Sequence, residues 1–420
     1  MSTISTSLLV IEILIAFIAM LFVHELGHFV FAKRAGILVR EFSIGMGPKI
    51  FSIKKGETKY SLRILPIGAY VSMAGEDVET YDVKIGQTIG IETDSQNTIT
   101  NIYPKVDDNR KITIEELDLE NKLFIKGLDD EGNLLDLLVS REAIIHLDGK
   151  KIQIAPLDRQ FGSKPIGSIF LSIIGGPLFN IIFALVLFFT IALMIGAPTN
   201  QVTIGDITEN SPAAEAGLQI GDKILGINNI VFDSSDKLVL MIQNSPEKEI
   251  ELNIERDGME LNVLIIPQDE DKDGIGLIGI KPVQVYQDVS IFQAVSMSFS
   301  ETVKWIGLIF ESFEMLFSGD VGLDDVAGPV GIVKITSDAA KAGIYTLMNW
   351  TAILSLYLGI FNLLPIPALD GSRLLFLTVE GIRRKPIDPR KESFIHFIGF
   401  AFLMLLMIFI TVNDVTKLFN

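Results

Sequence analysis

Cysteine is absent from all 420 positions of the sequence, and histidine occurs only four times. The chain therefore cannot form a disulfide, a catalytic thiolate or an all-cysteine metal site. A metal site would have to use the few histidines together with carboxylates. A net positive charge is also lacking. The formal net charge of −17 argues against a nucleic-acid partner, because phosphate binding needs a basic surface.

Long apolar runs are present instead. Hydrophobic residues make up 49% of the chain although 21% of its residues are charged, as expected where membrane spans alternate with water-facing segments. Four stretches reach the roughly 20 residues that a bilayer-spanning helix needs, near 5–32, 178–196, 344–364 and 394–412. Residues 165–205 carry no charge and are too many for one spanning helix. We expect a helix break there at Gly175-Gly176-Pro177.

The distribution of Lys and Arg predicts how these spans are oriented. Residues 31–70 carry eight Lys/Arg against two acidic residues, whereas residues 199–290 carry six against seventeen. Because basic loops stay in the cytoplasm, both chain ends and residues 199–343 are predicted outside, and connections 33–165 and 370–393 inside. The first span has no basic leader and no clear cleavage site, so we do not expect a removable signal peptide.

The segments between the spans differ in kind. Residues 40–72 alternate as a β-hairpin does, with a turn at Lys55-Gly56-Glu57. Residues 78–160 are acidic with short Ile/Leu/Val runs, which predicts a small β-rich insertion. Residues 200–282 alternate short strands with one helix at 211–216. Residues 290–317 have the apolar spacing of an amphipathic helix, which we expect to lie on the outer membrane surface.

One pattern, His24-Glu25-Leu26-Gly27-His28, has the spacing of a metal site. Positions i and i+4 share one face of a helix, so both imidazoles can reach one ion. Glu25 lies about 100° round the helix, within reach of a water beside that ion. Zinc suits two imidazoles and a carboxylate and keeps one position open. Two histidines and a glutamate inside a span are costly and by default functional. The alternative is a pair of core histidines that are merely hydrogen-bonded.

A third ligand must come from elsewhere, and the candidates are Asp370, His146 and His396. Asp370 lies at the inner end of the third span and His28 at the inner end of the first, so topology gives them a similar depth. An alternative role for Asp370 is a helix cap or turn residue. His146 lies in the acidic insertion. His396, in an apolar helix, is more typical of a packed histidine than of a ligand.

These residues belong to a set of motifs that resembles the site-2 protease family, and most of all its bacterial regulated-intramembrane-proteolysis zinc metalloproteases. The resemblance implies zinc bound by His24, His28 and Asp370, with Glu25 activating water. It also implies that Asn362 holds the substrate or the oxyanion near the metal. The motifs, in chain order, are His24 to His28, Gly45-Met46-Gly47-Pro48, Gly176-Pro177-Leu178-Phe179-Asn180, Gly328-Pro329-Val330-Gly331-Ile332 and the segment Asn362 to Gly371.

Two features of these motifs remain open. Asn180 matches a family position whose role does not follow from the sequence. The family commonly has Gly-Gly-His after Leu-Asp, whereas this chain has Gly371-Ser372-Arg373. That change removes no ligand, but it leaves the local surface beside Asp370 undefined.

Residues 200–282 resemble a PDZ domain, notably at Ser211 to Leu218 and Gly221 to Leu225. A PDZ groove binds an extended peptide by adding it to the sheet as a strand. In the family, such domains admit substrates whose outer part has already been trimmed. The hairpin at 40–72 can hold an unwound substrate segment at its edge in the same way, or it can simply meet anionic lipid through its lysines.

The resemblance implies an intramembrane zinc endopeptidase that cuts single-span membrane proteins, such as pre-trimmed anti-sigma factors or remnant signal peptides. It also implies a bacterial plasma-membrane location, with the active site near the cytosolic face, and an upstream protease that trims the same substrate. Two alternatives from other classes are a non-catalytic PDZ membrane adaptor and an ion-coupled transporter, which would use Glu12, Asp370 and the histidines as a relay.

The predicted fold is a polytopic α-helical membrane protein with four transmembrane helices, a membrane-associated β-hairpin, a β-rich cytosolic insertion and an extracytoplasmic PDZ-like domain. The predicted segments are 1–39 (first transmembrane helix with the zinc motif), 40–77 (hairpin), 78–160 (insertion), 161–199 (second transmembrane helix), 200–282 (PDZ-like domain), 283–343 (amphipathic helix and linker), 344–372 (third transmembrane helix with the Leu-Asp-Gly motif) and 373–420 (cytosolic connection and fourth transmembrane helix).

Overall fold

The computed structural model describes residues 6–76, 81, 83–105, 110–147, 149–231, 235–269, 274–322, 326–385 and 387–419. The chain divides into two compact units, residues 1–187 with 302–420, and residues 188–301. The helices are α1 (Thr6–Arg34), α2 (Ile166–Ile195), α3 (Pro212–Glu215), α4 (Ser235–Gln243), α5 (Ile291–Ser318), α6 (Pro329–Ala342), α7 (Ile344–Asn362), α8 (Asp370–Arg383) and α9 (Pro389–Phe419). The strands are β1 (Val39–Lys55), β2 (Thr58–Met73), β3 (Thr88–Thr93), β4 (Ile99–Tyr103), β5 (Arg110–Asp118), β6 (Phe124–Leu128), β7 (Leu134–Leu147), β8 (Lys150–Gln153), β9 (Ala197–Ile207), β10 (Lys223–Ile227), β11 (Ile250–Arg256), β12 (Met259–Ile265) and β13 (Ile280–Gln287).

Four helices among the described residues are long and apolar enough to cross a membrane: α1, α2, α7 and residues 390–417 of α9. Each overlaps one of the four stretches that the sequence predicts as spans. The amphipathic helix α5 does not qualify as a span. The prediction of four membrane helices is therefore confirmed.

The predicted break in the second span is wrong, because α2 runs unbroken for 30 residues with Pro177 inside it. The glycines serve packing instead. A Cβ added to Gly27 of α1 would lie 2.0 Å from the carbonyl oxygen of Gly175, and one added to Gly176 would lie 2.3 Å from Nε2 of His28. Proline is tolerated in membrane helices where neighbouring groups satisfy the freed backbone atoms. The glycines thus bring α2 against the metal-motif face of α1.

Strands β1 and β2 meet at a turn of Gly56 and Glu57, where the sequence predicts a hairpin. The ribbon also folds back on itself, since residues 41–44 of β1 pair with residues 59–62 of β2 and again with residues 69–72. Its buried face packs on α1 through a cluster that includes Ala32, Phe42 and Val71. Within the described part of the chain no strand pairs with the other side of residues 69–73, which leaves an open edge.

The insertion between the hairpin and α2 is β-rich, as predicted. Its strand order is β4-β3-β5-β6-β7-β8, and β4 pairs in addition with β7, in parallel. Strands β3 to β7 therefore close into a small barrel, filled mainly by isoleucines such as Ile89, Ile112 and Ile125. Closure leaves those five strands without an open edge.

The unit of residues 188–301 contains a five-stranded antiparallel sheet of order β12-β11-β10-β9-β13. Its short helix α3 begins at Pro212 with Ser211 as N-cap, inside the stretch where the sequence predicts a helix. Asp222, 2% exposed, accepts two hydrogen bonds from Arg256 at 2.6 and 2.7 Å. At the ends of the sheet, Ala197 and Gln287 are direct partners on β9 and β13.

The motif from Gly328 to Ile332 forms the start of α6. The buried carboxylate of Asp414 on α9 accepts hydrogen bonds from the backbone N–H groups of Gly328, at 3.1 Å, and Gly331, at 2.8 Å. A Cβ on Gly328 would lie 2.7 Å from one carboxylate oxygen. The motif is therefore a helix N-terminus capped by a carboxylate from another helix, which satisfies two unpaired donors and complements the helix dipole.

Candidate metal centre

Helix α1 places His24 and His28 on one face, four residues apart and almost fully buried. Their Nε2 atoms lie 3.3 Å from each other. Asp370, the first residue of α8, brings its Oδ2 atom within 3.3 Å of Nε2 of His24 and 3.4 Å of Nε2 of His28. Asp370 thus meets His24 and His28 at one point, although it follows them by 346 and 342 positions in the chain.

This triangle has the dimensions of a tetrahedral metal site. Zinc bonds of about 2.0–2.1 Å at tetrahedral angles separate the ligand atoms by about 3.3–3.4 Å. The three separations in the structure agree with this spacing. Oδ2 of Asp370 is also buried without a hydrogen bond among the described residues. Two imidazoles, one carboxylate and their spacing therefore fit a zinc ion that keeps a fourth position open.

The other ring nitrogens are held by α2. Nδ1 of His28 lies 2.8 Å from the carbonyl oxygen of Ser172, so its N–H donates to that carbonyl and Nε2 carries the free lone pair. The side-chain amide of Asn180 lies 3.2 Å from Nδ1 of His24. Asn180 is fully buried, and its Oδ1 has no hydrogen-bond partner among the described residues. Turning the amide satisfies both groups, because Oδ1 then accepts from the Nδ1–H. This contact gives Asn180 the role that the sequence left open.

A cavity of about 250 Å³ opens beside these ligands, and Glu25, Tyr70, Met73, Asn362 and Arg373 are among the residues that line it. The carboxyl of Glu25 therefore shares one space with the three candidate ligands. The amide nitrogen of Asn362 donates to the carbonyl oxygen of Leu358 at 2.9 Å. That nitrogen carries two hydrogens, so one is left for a group in the cavity.

The two remaining histidines lie apart from the triangle of ligand atoms. His146, on the barrel, has its Nε2 atom 2.9 Å from Oδ1 of Asn101 and stacks on Tyr103. His396, on α9, accepts a hydrogen bond through Nδ1 from the backbone N–H of Ala368 at 3.0 Å. It therefore contacts the segment that leads into Asp370 rather than joining the ligands.

The segment after Asp370 is tightly packed. A Cβ on Gly371 would lie 2.2 Å from the carbonyl oxygen of Leu363, so glycine is required there. The hydroxyl of Ser372 donates to the carbonyl oxygen of Leu369 at 2.7 Å. Arg373 pairs with Glu76, which follows β2. The two residues that differ from the common family pattern thus have defined partners.

Comparison with known proteins identifies a family model and relatives that match nearly the whole chain. A model of the family described as Peptidase family M50 matches residues 12–406. The zinc metalloprotease RasP of Geobacillus kaustophilus is 43% identical over 98% of this chain and 98% of its own length. The regulator of sigma-W protease RasP of Bacillus subtilis is 44% identical, with coverage of 98% and 99%, and the probable protease eep of Enterococcus faecalis is 39% identical, with coverage of 98% and 99%.

Among solved structures, a PDZ domain of an SdrC-like protein from Listeria monocytogenes is 26% identical. The matched region covers 20% of the present chain and 86% of the PDZ-domain chain, with a TM-score of 0.18.

Proposed function

Because the chain belongs to peptidase family M50, we propose that His24, His28 and Asp370 hold its zinc ion and that Glu25 is its general base. The protein is a zinc metalloprotease of regulated intramembrane proteolysis, and a multi-pass membrane protein. The adaptor and transporter alternatives are therefore set aside. The observation that carries the residue assignment is the triangle of ligand atoms, each 3.3–3.4 Å from the others.

Each residue has one task in this proposal. When bound, zinc polarises the scissile carbonyl and lowers the pKa of water to about 7. Glu25 takes a proton from the attacking water and delivers it to the leaving amide nitrogen as the C–N bond breaks. Asn180 and the carbonyl of Ser172 hold both Nδ1–H groups, which directs both Nε2 atoms to the ion. Asn362 donates its remaining amide hydrogen to the substrate carbonyl oxygen.

The open edge of β2 supplies a place for the substrate. A peptide bond in a helix is shielded by its own hydrogen bonds, so a transmembrane substrate must unwind before attack. Residues Tyr70, Val71 and Met73 line the cavity that contains Glu25. An extended segment that adds to residues 69–73 by backbone hydrogen bonds would therefore carry its scissile bond past the base.

The opposite arm of the ribbon, residues 46–55 of β1, has an exposed apolar surface that can contact lipid. Residues 46–55 are all exposed, and they include Ile50, Phe51 and Ile53, each more than half exposed. Lys54 and Lys55 follow at the tip, where they can meet anionic headgroups. We propose that this arm enters the membrane interface while the other edge of the ribbon holds substrate.

The charge distribution supports an orientation with the metal centre near the cytosolic face of a bacterial plasma membrane. Residues 200–282 are then extracytoplasmic, and we propose that they form a PDZ domain that admits only trimmed substrates. Exposed side chains along α5, including Phe292, Phe299 and Phe317, support its place on the outer surface.

The substrates proposed are single-span membrane proteins, either pre-trimmed anti-sigma factors or remnant signal peptides. The name of the Bacillus subtilis relative, a regulator of sigma-W, supports the first class. An upstream protease that trims the outer part of the substrate completes the proposal.

The test is Glu25→Gln in the purified full-length protein. Zinc should remain bound in a near-stoichiometric amount, because all three ligands are intact. Cleavage of a transmembrane substrate should fall by about 10²–10⁴-fold, the usual cost of losing a general base. Glu12→Gln, the same change on the same helix, is the control and should cleave normally. Near-normal cleavage by Glu25→Gln would show that Glu25 is not the base.

A further inference from the structure

Arg373 and Glu76 form an ion pair beside the metal centre that has no task in the hydrolysis itself. Arg373 stands one helical turn after Asp370 on α8, and Glu76 lies 297 positions earlier in the chain, just after β2. Their side chains are 30% and 20% exposed, so the pair is largely shielded from water. Shielding strengthens the attraction and makes the loss of either partner costly.

Glu76 follows residues 74 and 75, whose backbone contacts two other segments of the chain. The backbone N–H of Ala74 donates to the carbonyl oxygen of Leu38, and the carbonyl oxygen of Ala74 accepts from the N–H of Phe161 at 2.7 Å. A Cβ on Gly75 would lie 2.5 Å from Cβ of Gln160, so this segment packs without a gap. The position of Glu76 is therefore set by the same backbone that carries the open edge of β2.

Through its ion pair, Arg373 connects α8 to Glu76. Its guanidinium carbon also lies 5.9 Å from the centre of the Phe161 ring. Farther along α8, Leu377 packs against Ile169 and Ile173 of α2. The C-terminal part of α8 is thus held by apolar contacts. Its first turn, which carries Asp370, packs through Gly371 on Leu363 and is joined by the ion pair to the segment after β2.

Both charged side chains line the 250 Å³ metal cavity and also a neighbouring cavity of about 510 Å³, which contains Glu392 and His396. The pair therefore lies in the wall that the two cavities share. From that wall it faces the metal ligands on one side and the segment before Asp370 on the other.

The three candidate ligands differ in how they are positioned. The single helix α1 fixes the separation of His24 and His28, and α1 also packs directly on the β1–β2 ribbon. Asp370 comes from a separate element, so only tertiary contacts can set its distance to the histidines. We propose that Glu76 and Arg373 are positioning residues, which fix Asp370 relative to the metal and to the substrate edge of β2. This inference rests on the proposed function of the site.

The test is a double-mutant cycle in the full-length protein, with zinc affinity measured by competition against a chelator. Glu76→Gln and Arg373→Gln should each raise the zinc dissociation constant by roughly tenfold, the lower end of the effect of residues that support a metal ligand. The double variant should be no worse than either single one, because both changes break the same pair. Arg373→Lys, which keeps the charge but not the planar fork, should lose less.

Two results would overturn the inference. One is zinc affinity that the single variants leave unchanged. The other is independent losses that multiply to about a hundredfold in the double variant. A pair with a merely structural role would lower the thermal midpoint of the zinc-free protein and leave the zinc affinity of the folded fraction unaltered.

The matched control is Arg141→Gln, which breaks an exposed pair with Asp158 that lies outside both cavities. It should leave zinc affinity unchanged. The measurements distinguish failure of the positioning role from failure of the proposed metal site. Wild-type protein without stoichiometric zinc would contradict the proposed metal site, whereas zinc-loaded wild type with unaltered variants would contradict only the positioning role.

Discussion

Asn180 shows how one buried amide can determine which nitrogen of a histidine faces a metal. Its side chain is the hydrogen-bond partner of Nδ1 of His24. Asn180→Ala should therefore weaken zinc binding by about 10–100-fold, because the imidazole loses the acceptor that orients it. Asn180→Asp keeps an acceptor and should lose less. Chelator competition on the purified variants measures both effects.

The chain offers a matched control for this prediction. Asn101 holds His146 on the barrel by an equivalent amide–imidazole contact at 2.9 Å. Asn101→Ala should leave zinc affinity at the wild-type value. Equal losses in the two alanine variants would mean that the effect of Asn180 does not act through His24.

At the scale of residues, the sequence could predict the metal centre only where spacing carries the information. The i and i+4 relation places His24 and His28 together on any helix. The similar membrane depth predicted for His28 and Asp370 makes Asp370 a candidate partner. Asn180 and Arg373 act through partners 156 and 297 positions away. No local pattern encodes contacts of that range, so these roles required the structure.

At the scale of elements, the start of α6 depends on Asp414. Asp414→Ala removes the acceptor for the N–H groups of Gly328 and Gly331 and leaves both unpaired. The loss of such a cap costs about 0.5–2 kcal/mol. We therefore expect a lower thermal midpoint in detergent, with zinc content unchanged.

Asp338→Ala is the control for the cap, since it removes an exposed aspartate of the same helix that pairs with Lys341. Exposed pairs contribute little, so its midpoint should stay close to that of the wild type. Similar shifts for the two variants would argue that Asp414 is not the cap of α6.

The second membrane helix shows where element prediction fails. Two glycines and a proline favour a break when the chain is considered alone. In the folded protein the same glycines let α2 approach α1 closely, and packing keeps the helix continuous through Pro177. Hydrophobic length predicted that a helix is present, but only its neighbour determined whether it is continuous.

At the scale of the whole molecule, residues 197–287 offer a deletion that leaves the membrane helices intact. Ala197 and Gln287 are paired neighbours, so a short linker can replace residues 197–287 without separating the flanking segments. If the deleted segment excludes untrimmed substrates, the deletion variant should cleave substrates whose outer domains are intact. Cleavage assays with trimmed and untrimmed forms of one substrate measure this.

The same deletion combined with Glu25→Gln controls for contaminating proteases and should cut neither form. Continued selection for the trimmed substrate after the deletion would place the filter elsewhere in the molecule.

The length of apolar runs and the alternation of short apolar segments were enough to predict four spans and two β-rich regions at this scale. They did not predict that the insertion closes on itself. Closure depends on the parallel pairing of β4 with β7, in which Ile99 faces Val139 and Ile102 faces Ile145. Alternation along a strand indicates which side chains are buried, but it does not specify a partner strand 40 residues away.

The positions of His24, His28 and Asp370 in the sequence also determine when the proposed site can form during synthesis. His28 is made early, and the ribosome must add 342 more residues before it reaches Asp370. At about 5–20 residues per second, that takes roughly 17–70 s. During this interval the growing chain lacks one of the three proposed ligands. The proposed zinc site therefore cannot be complete until synthesis has passed the third membrane helix.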